Sequence, residues 1–129
     1  MIQRIQSLYI IVSFVFSCVL LYFSLQLSTD LLWAGFYQLN YGFWIIPIAI
    51  ITVLFLFKKR PLQSLLCLLI LFLHVLQGAF FIPGFDFSDG FDFEEFVIFV
   101  SLVNIVLLWL ARRSIRKDED LVRSVDRIR

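Results

Sequence analysis

Charged residues are scarce in this sequence. Of its 129 residues, 16% are charged and 61% are hydrophobic, whereas ordinary globular proteins have about 25% charged and about 45 to 50% apolar residues. This shortage of charge excludes a water-soluble domain of this size. The mean hydropathy of +0.95 indicates a chain that is surrounded mostly by lipid.

Three further features are missing, and each absence excludes a class of protein. The only two cysteines, Cys18 and Cys67, lie within apolar runs, and at helical rise their depths differ by roughly 12 Å, which excludes a disulfide between them. No glycine-rich phosphate loop occurs, so we expect no nucleotide site of that kind. The basic residues follow the ends of the apolar runs rather than forming a groove, so we expect no nucleic-acid partner.

Four apolar runs predict four transmembrane helices and therefore an all-α polytopic membrane protein with a single domain over residues 1–129. The predicted spans cover about residues 5–27, 41–57, 62–82 and 93–111. At 1.5 Å per residue, runs of this length suit a hydrocarbon core of about 30 Å, although the second has only the minimum length. Residues 31–40 could extend that second helix, lie at the interface or be irregular. The first run lacks a small-residue cleavage site and is interpreted as an uncleaved anchor.

The charged side chains predict which ends of the spans share a compartment. The segments between spans one and two and between spans three and four contain six carboxylates and no cation: Asp30, Asp86, Asp89, Asp92, Glu94 and Glu95. All eleven cations lie on the opposite side, together with the other four carboxylates. Because cytoplasmic segments carry an excess of Lys and Arg, we expect both termini and the tail, residues 112–129, to be cytoplasmic.

The few polar residues inside the predicted spans follow helical faces. On span one, Ser13, Ser17 and Ser24 continue a face that starts at Gln6, with steps of 7, 4 and 7. Hydrocarbon offers no hydrogen-bond partner, so such faces normally turn toward neighbouring helices. The polar residues that we expect inside the bundle are Ser13, Ser17, Thr52, His74, Gln77, Ser101 and Asn104.

Two of these residues allow sharper expectations. His74 is the only histidine and lies near the predicted midplane, where it could relay protons or serve as a neutral structural residue bonded to Ser17 or Ser101. The spans contain no carboxylate to complete a relay, which favours the structural role. For Asn104 we expect a contact with Thr52 or Cys67. Pro47 could kink span two or lie in the first turn of its helix.

Candidate catalytic and metal-binding sets are absent from the sequence. An enzyme inside the membrane needs a nucleophile with a base, a carboxylate pair or a set of metal ligands, and Cys67 and His74 lie two turns apart on one helix, about 10 Å along its axis. The loop at residues 84–95 has five carboxylates, but Phe87 and Phe96 stand where a calcium-binding loop needs ligands. We therefore expect no enzymatic activity, no cofactor and no metal site.

The tail is polar but has a helical pattern, so we expect it to extend the fourth helix into the cytoplasm. Arg116 with Asp120 and Glu119 with Arg123 form possible ion pairs four residues apart. The tail also carries an apolar stripe, which could rest on the bilayer, self-associate or dock on a membrane-protein partner. The cations at the start of the tail could attract anionic lipid. The candidate partner or lipid contacts are Arg112, Arg113, Arg116, Lys117, Leu121, Val122, Val125 and Ile128.

Two blocks of sequence resemble a known family. The opening, residues 1–6 (MIQRIQ), and the end of the chain, residues 115–129 (IRKDEDLVRSVDRIR), resemble those of a family of small four-span membrane proteins from Bacteroidota that is described only as a domain of unknown function. Val125 and Ile128 stand where alanine and leucine are expected, and both changes keep the stripe apolar. The resemblance implies a bacterial inner-membrane location and supplies no biochemical role. In that membrane, the acidic loops that the charge bias places outside are periplasmic.

Two hypotheses of function follow from these patterns. In the first, the protein is a non-enzymatic accessory or scaffold subunit of an inner-membrane assembly, because its loops are short, its core has no charge and its tail is patterned. In the second, it is an oligomeric small transporter or channel that uses the polar faces of spans one, three and four. The second hypothesis predicts a wet, polar-lined cavity that reaches the midplane.

Overall fold

The protein is all-helical over the residues that the structure describes. The computed structural model describes the backbone of residues 2–28, 36–82 and 92–126, and side chains within 5–25, 43–82 and 92–124. Helix α1 covers Ile2–Ser28, α2 covers Phe36–Phe55, α3 covers Arg60–Phe81 and α4 covers Phe93–Asp126, and a short 3₁₀ helix, Leu56–Lys58, joins α2 to α3. The predicted all-α fold with four helices is confirmed.

Three helices are long and apolar enough to cross a membrane. They contain the segments Ile5–Leu25, Arg60–Phe81 and Phe93–Ser124, and α2 contributes a shorter apolar segment, Phe43–Lys58. The outer surface is apolar as well, since Ile48, Phe72 and Leu102 are each more than half exposed. An apolar exterior of this kind is the surface of a membrane protein rather than of a soluble one.

Local sequence signals account for the ends of the helices. Pro61 lies in the first turn of α3, where its missing N–H removes no helical hydrogen bond. At the start of α4, the backbone N–H of Asp92 donates to Glu95 Oε2 at 2.9 Å, which is one half of a capping box. Pro47 lies in the interior of α2 rather than in its first turn, because that helix already begins at Phe36. It therefore deprives α2 of one backbone hydrogen bond.

The four helices form a closed ring. Helix α4 packs most extensively on α3 and then on α1, while α2 packs on α1 and more sparsely on α3. Within the described residues, α1 and α3 lie diagonally opposite each other, as do α2 and α4. Each helix therefore has two neighbours, and this order decides which polar side chains can meet.

Two hydrophobic clusters fill the ring. One contains Ile10, Ile46, Ile50, Val53, Cys67, Ile70, Leu108, Ala111 and Ile115. The other is rich in aromatic rings, and the centroids of Phe43, Phe81 and Phe93 lie 6.0 to 6.2 Å apart.

Cys18 and Cys67 are both free thiols.

Candidate functional site

A buried polar network joins α1 to α4. Ser13 Oγ donates to Asn104 Oδ1 at 2.8 Å, Asn104 Nδ2 donates to Ser17 Oγ at 3.4 Å, and Ser17 Oγ donates to the Ser13 carbonyl at 3.0 Å. All three residues are at most 2% exposed. The two serines lie four residues apart on one face of α1, so a single amide can contact both. The network therefore fastens two helices together.

Two predicted interior positions differ from the structure. Asn104 hydrogen-bonds to Ser13 and Ser17 rather than to Thr52 or Cys67, and a contact with Thr52 is excluded because α2 and α4 lie diagonally opposite in the ring. Thr52 is exposed, and the prediction that it faces the interior is wrong. Its Oγ1 donates to the Ala49 carbonyl at 2.6 Å, so the hydroxyl group is satisfied within its own helix and needs no neighbouring helix.

His74 lies in the half of α3 nearer to Phe81 and is fully buried. Its Nδ1 lies 3.2 Å from Gln77 Oε1, one turn along the same helix. Neither Ser17 nor Ser101, the partners expected for it, hydrogen-bonds to the ring, and both His74 Nε2 and the buried Ser101 Oγ have no hydrogen-bond partner among the described residues. Gly78 faces Ser101, and a Cβ at Gly78 would lie 3.5 Å from the Ser101 Cβ, which is an ordinary contact distance.

The recess beside His74 has no space for a water molecule. It is lined by Ser17, Leu20, Phe43, Ile46, Pro47, His74 and Gln77. The polar side chains of Ser17, His74 and Gln77 therefore do not line a water-filled path at this place. The described residues also contain no group of three or more His, Cys, Asp or Glu side chains that could hold a metal ion.

The cations that the structure describes lie at the end of the bundle where α1 begins. The first residues of the α4 tail pack at the same end. Gln6 Nε2 donates to the Ser114 carbonyl at 3.0 Å, which joins α1 to α4. Arg60 Nη1 lies 3.3 Å from Asp118 Oδ2, which joins α3 to α4. These two contacts hold α4 against the bundle as far as Asp118.

The bundle therefore extends past Ala111, where the sequence predicted the end of the fourth span. Ile115 is 0% exposed and belongs to the first hydrophobic cluster. The two arginines at 112 and 113 predict the end of the span at the water boundary, and that boundary does not determine where packing between the helices ends. The available signal was the spacing of Leu108, Ala111 and Ile115, which continues the inner face of α4 by steps of three and four residues.

Beyond Asp118 the tail of α4 extends away from the ring. Residues 120–124 are all exposed, and the apolar side chains of Leu121 and Val122 are 47% and 45% exposed. The predicted pair of Glu119 with Arg123 forms. The predicted pair of Arg116 with Asp120 is not among the ion pairs of the described residues. The side chains of residues 125 and 128, the other two members of the predicted stripe, lie outside the described residues.

Two surface recesses flank the tail. The first lies between the α2–α3 connection and the tail of α4, and we call it the hairpin–tail groove. It has a volume of about 590 Å³ and is lined by Phe57, Lys58, Arg60, Pro61, Glu119, Val122 and Arg123. The second, the α4 cationic patch, has a volume of about 410 Å³ and is lined by Trp109, Arg112, Arg113, Arg116, Lys117 and Asp120. Six of the eight predicted contact residues are described, and five of them line one of these recesses; Leu121 lies outside both.

Comparison with known proteins agrees with the resemblance noted at the end of the chain. A family model described as a domain of unknown function, DUF4293, matches residues 33–128. The match includes the conspicuous stretch from residue 115 onward but not the opening block, residues 1–6. No curated protein and no solved structure matches the chain. Since the model covers most of the chain, the protein belongs to the family of the domain of unknown function DUF4293.

Proposed function

We propose that this protein is a non-enzymatic accessory or scaffold subunit of an assembly in the bacterial inner membrane, and that its cytoplasmic tail binds the partner. One observation carries the proposal: α4 continues beyond the bundle as a helix whose apolar side chains, Leu121 and Val122, are about half exposed, at 47% and 45%. A helix that projects into water gains nothing from exposed apolar side chains unless another surface covers them.

The distribution of charge supports a cytoplasmic location for the tail. Gln6, Arg60 and Asp118 make contacts that bring the start of α1, the α2–α3 connection and the tail of α4 to one end of the bundle. The described cations cluster at this end, while Asp92, Glu94 and Glu95 lie at the opposite end of α4. Under the positive-inside bias, the cationic end is cytoplasmic and the acidic end periplasmic.

The hairpin–tail groove indicates the chemistry of the partner. Its apolar walls come from Phe57, Pro61 and Val122. Of its three cations, Arg60 is paired with Asp118 and Arg123 with Glu119, so Lys58 is the cation of the groove that pairs with no carboxylate among the described residues. We infer that the partner presents a segment that combines apolar side chains with carboxylates, such as an amphipathic acidic helix. This segment would cover Val122 and lie beside Lys58.

The transporter or channel hypothesis is less well supported by the geometry. Its candidate residues on α1, α3 and α4 are turned toward one another within a single chain, and the recess beside His74 holds no water-sized space. An oligomer could use these faces for a pore only if each bundle opened. Such opening would expose the network of Ser13, Ser17 and Asn104.

Purification after mild solubilisation tests the proposed function. We compare the wild-type chain at its native level with two variants that each add one carboxylate to the tail, Val122→Asp inside the groove and Ser124→Asp outside it. We expect one defined membrane partner to copurify in constant proportion with the wild type and with Ser124→Asp, and its recovery to fall at least tenfold with Val122→Asp. A chain that purifies without a partner, or equal recovery with both variants, contradicts the proposal.

A further inference from the structure

We propose that the α4 cationic patch binds the phosphate of an anionic phospholipid headgroup. Its four cations fall within six consecutive residues, Arg112, Arg113, Arg116 and Lys117. This site goes beyond the proposed partner-binding function and does not depend on it, since it lies on a different recess from the hairpin–tail groove.

The cations of the patch are free to receive a ligand. Within the described part of the chain, carboxylates pair with Arg60 and Arg123, and with none of the four cations of the patch. The nearby acids Asp118 and Glu119 are the partners of those two other arginines, so they do not neutralise the patch. Only Asp120 adds a negative charge to its rim. The patch therefore keeps a net positive charge.

One guanidinium group also has an unfilled donor. The Nε of Arg112 is buried and donates to no acceptor among the described residues. A buried donor of this kind costs free energy until it meets an acceptor. Because this nitrogen is buried, a lipid phosphate does not reach it directly. The exposed guanidinium groups of Arg113 and Arg116 are the ones that can donate two parallel hydrogen bonds to phosphate oxygens.

The position of Trp109 indicates that the patch lies at the depth of the lipid headgroups. Trp109 is half exposed, and the Arg113 guanidinium lies over its ring at 5.7 Å from the centroid. Indole rings of membrane proteins prefer the interface between hydrocarbon and water. From Trp109 to Lys117 the helix rises about 12 Å, so the patch runs from the edge of the hydrocarbon through the headgroup layer. A phospholipid phosphate beside Trp109 would face Arg113 and Arg116.

The helical spacing gives the patch its shape. Trp109, Arg113 and Lys117 form one row along α4, with steps of four residues, and Arg112, Arg116 and Asp120 form the adjacent row. The two rows border the recess of about 410 Å³. A headgroup held there meets unpaired cations from both rows. The recess that Lys58 lines differs, because its two arginines, Arg60 and Arg123, are already paired with Asp118 and Glu119.

Native mass spectrometry of the purified full-length protein tests this site. The protein in mild detergent is mixed with equal amounts of phosphatidylglycerol and phosphatidylcholine of the same acyl chains. The double variant Arg113→Gln with Arg116→Gln removes two exposed cations from the patch. Its matched control, Lys58→Gln with Lys59→Gln, removes two exposed cations at the same end of the bundle.

We expect the wild type and the Lys58 and Lys59 variant to retain phosphatidylglycerol in preference to phosphatidylcholine. The patch variant should lose about 30-fold in affinity for phosphatidylglycerol, because each cation near a membrane surface contributes about a factor of five. Equal losses in the two double variants would show a general charge effect, and no preference in the wild type would show that there is no lipid site. Either result overturns the proposal.

Two additional measurements make the result decisive. Inorganic phosphate at the concentration of the lipid should not displace phosphatidylglycerol; if it does, the site recognises free phosphate and the lipid assignment is wrong. If circular dichroism shows that the double variant has lost helical content, the single variant Arg116→Gln replaces it. That single substitution should reduce affinity about fivefold, and an unchanged affinity would contradict the proposal.

Discussion

Asn104 shows how a single amide is accommodated in an apolar interior. Its oxygen accepts from Ser13 and its nitrogen donates to Ser17, so both ends of the side chain are used by one helix face. Ser17 in turn donates to the carbonyl of Ser13. The result is a closed set of hydrogen bonds that needs no water, and it fixes the register of α1 against α4.

The network predicts a measurable coupling between α1 and α4. We expect Asn104→Ala and Ser13→Ala each to lower the free energy of unfolding, with a coupling of about 0.6 kcal/mol between them, the average for interhelical hydrogen bonds in membranes. Unfolding in a double-mutant cycle, by titration with a denaturing detergent, measures this term. Thr52→Val is the control and should leave stability unchanged, because its hydroxyl group bonds only within α2. A coupling of zero would contradict the role of Asn104.

The sequence could predict the polar face of α1 but not the partners of its residues. Steps of seven and four keep Ser13, Ser17 and Ser24 on one side of a helix, and the structure buries all three. The sequence also predicts how deep a residue lies in the membrane, but this depth does not determine which helices are neighbours. For this reason Thr52, at a similar predicted depth to Asn104, was expected to reach it although their helices lie on opposite sides of the ring.

At the scale of the elements, α3 and α4 form the most extensive contact of the bundle. Gly78 lies on this contact, and a Cβ there would lie 3.5 Å from the Ser101 Cβ, which is an ordinary contact distance. A methyl group therefore fits between the helices. We expect a larger side chain to press against Ser101.

Alanine and leucine at position 78 should have different effects on stability. We expect Gly78→Ala to leave stability unchanged or to raise it by up to about 1 kcal/mol, because alanine is the better helix former. Gly78→Leu should lower the free energy of unfolding by about 1 to 3 kcal/mol through overpacking against α4. Thermal unfolding in detergent measures both. If leucine is as well tolerated as alanine, the close approach at Ser101 is not as described.

The sequence predicted that helix α4 continues into the tail. It did not predict the contacts that attach the tail to the bundle. Charged residues with helical pairing indicated a helix after Ala111, and α4 does run to Asp126. The contact of Arg60 with Asp118 was not foreseeable, because the two residues are far apart in the chain. Burial of Ile115 was also not predicted, because the water boundary does not determine where packing between the helices ends.

The pair at the root of the tail should control its local opening. We expect Asp118→Asn to raise amide hydrogen exchange over residues 116–124, while overall stability falls by less than about 1 kcal/mol, since the pair is partly exposed. The control is Glu119→Gln, which removes the pair with Arg123 inside the tail and leaves the link to α3 intact. Exchange that rises equally in both variants would show that the link to α3 does not hold the tail.

At the scale of the whole molecule, the ring turns polar side chains inward and apolar side chains outward. Within the described chain, Ser13, His74 and Asn104 are 0% exposed, while Phe72 and Leu102 are more than half exposed. This arrangement suits a helix bundle that is surrounded by lipid and contacts other proteins at its ends. The cationic end, with its two recesses beside the tail, is where such contacts are proposed.

The proposed sidedness predicts how introduced cysteines react from each side of the membrane. Ser124→Cys lies on the exposed tail, and Ser88→Cys lies in the loop that is predicted to be periplasmic. We expect a membrane-impermeant maleimide to label Ser88→Cys in intact spheroplasts and Ser124→Cys only after the membrane is opened. The parent chain is the control and should stay unlabelled, because Cys18 and Cys67 lie within the candidate spans Ile5–Leu25 and Arg60–Phe81. Labelling of Ser124→Cys in intact spheroplasts would place the tail outside and remove the basis of the proposed cytoplasmic partner.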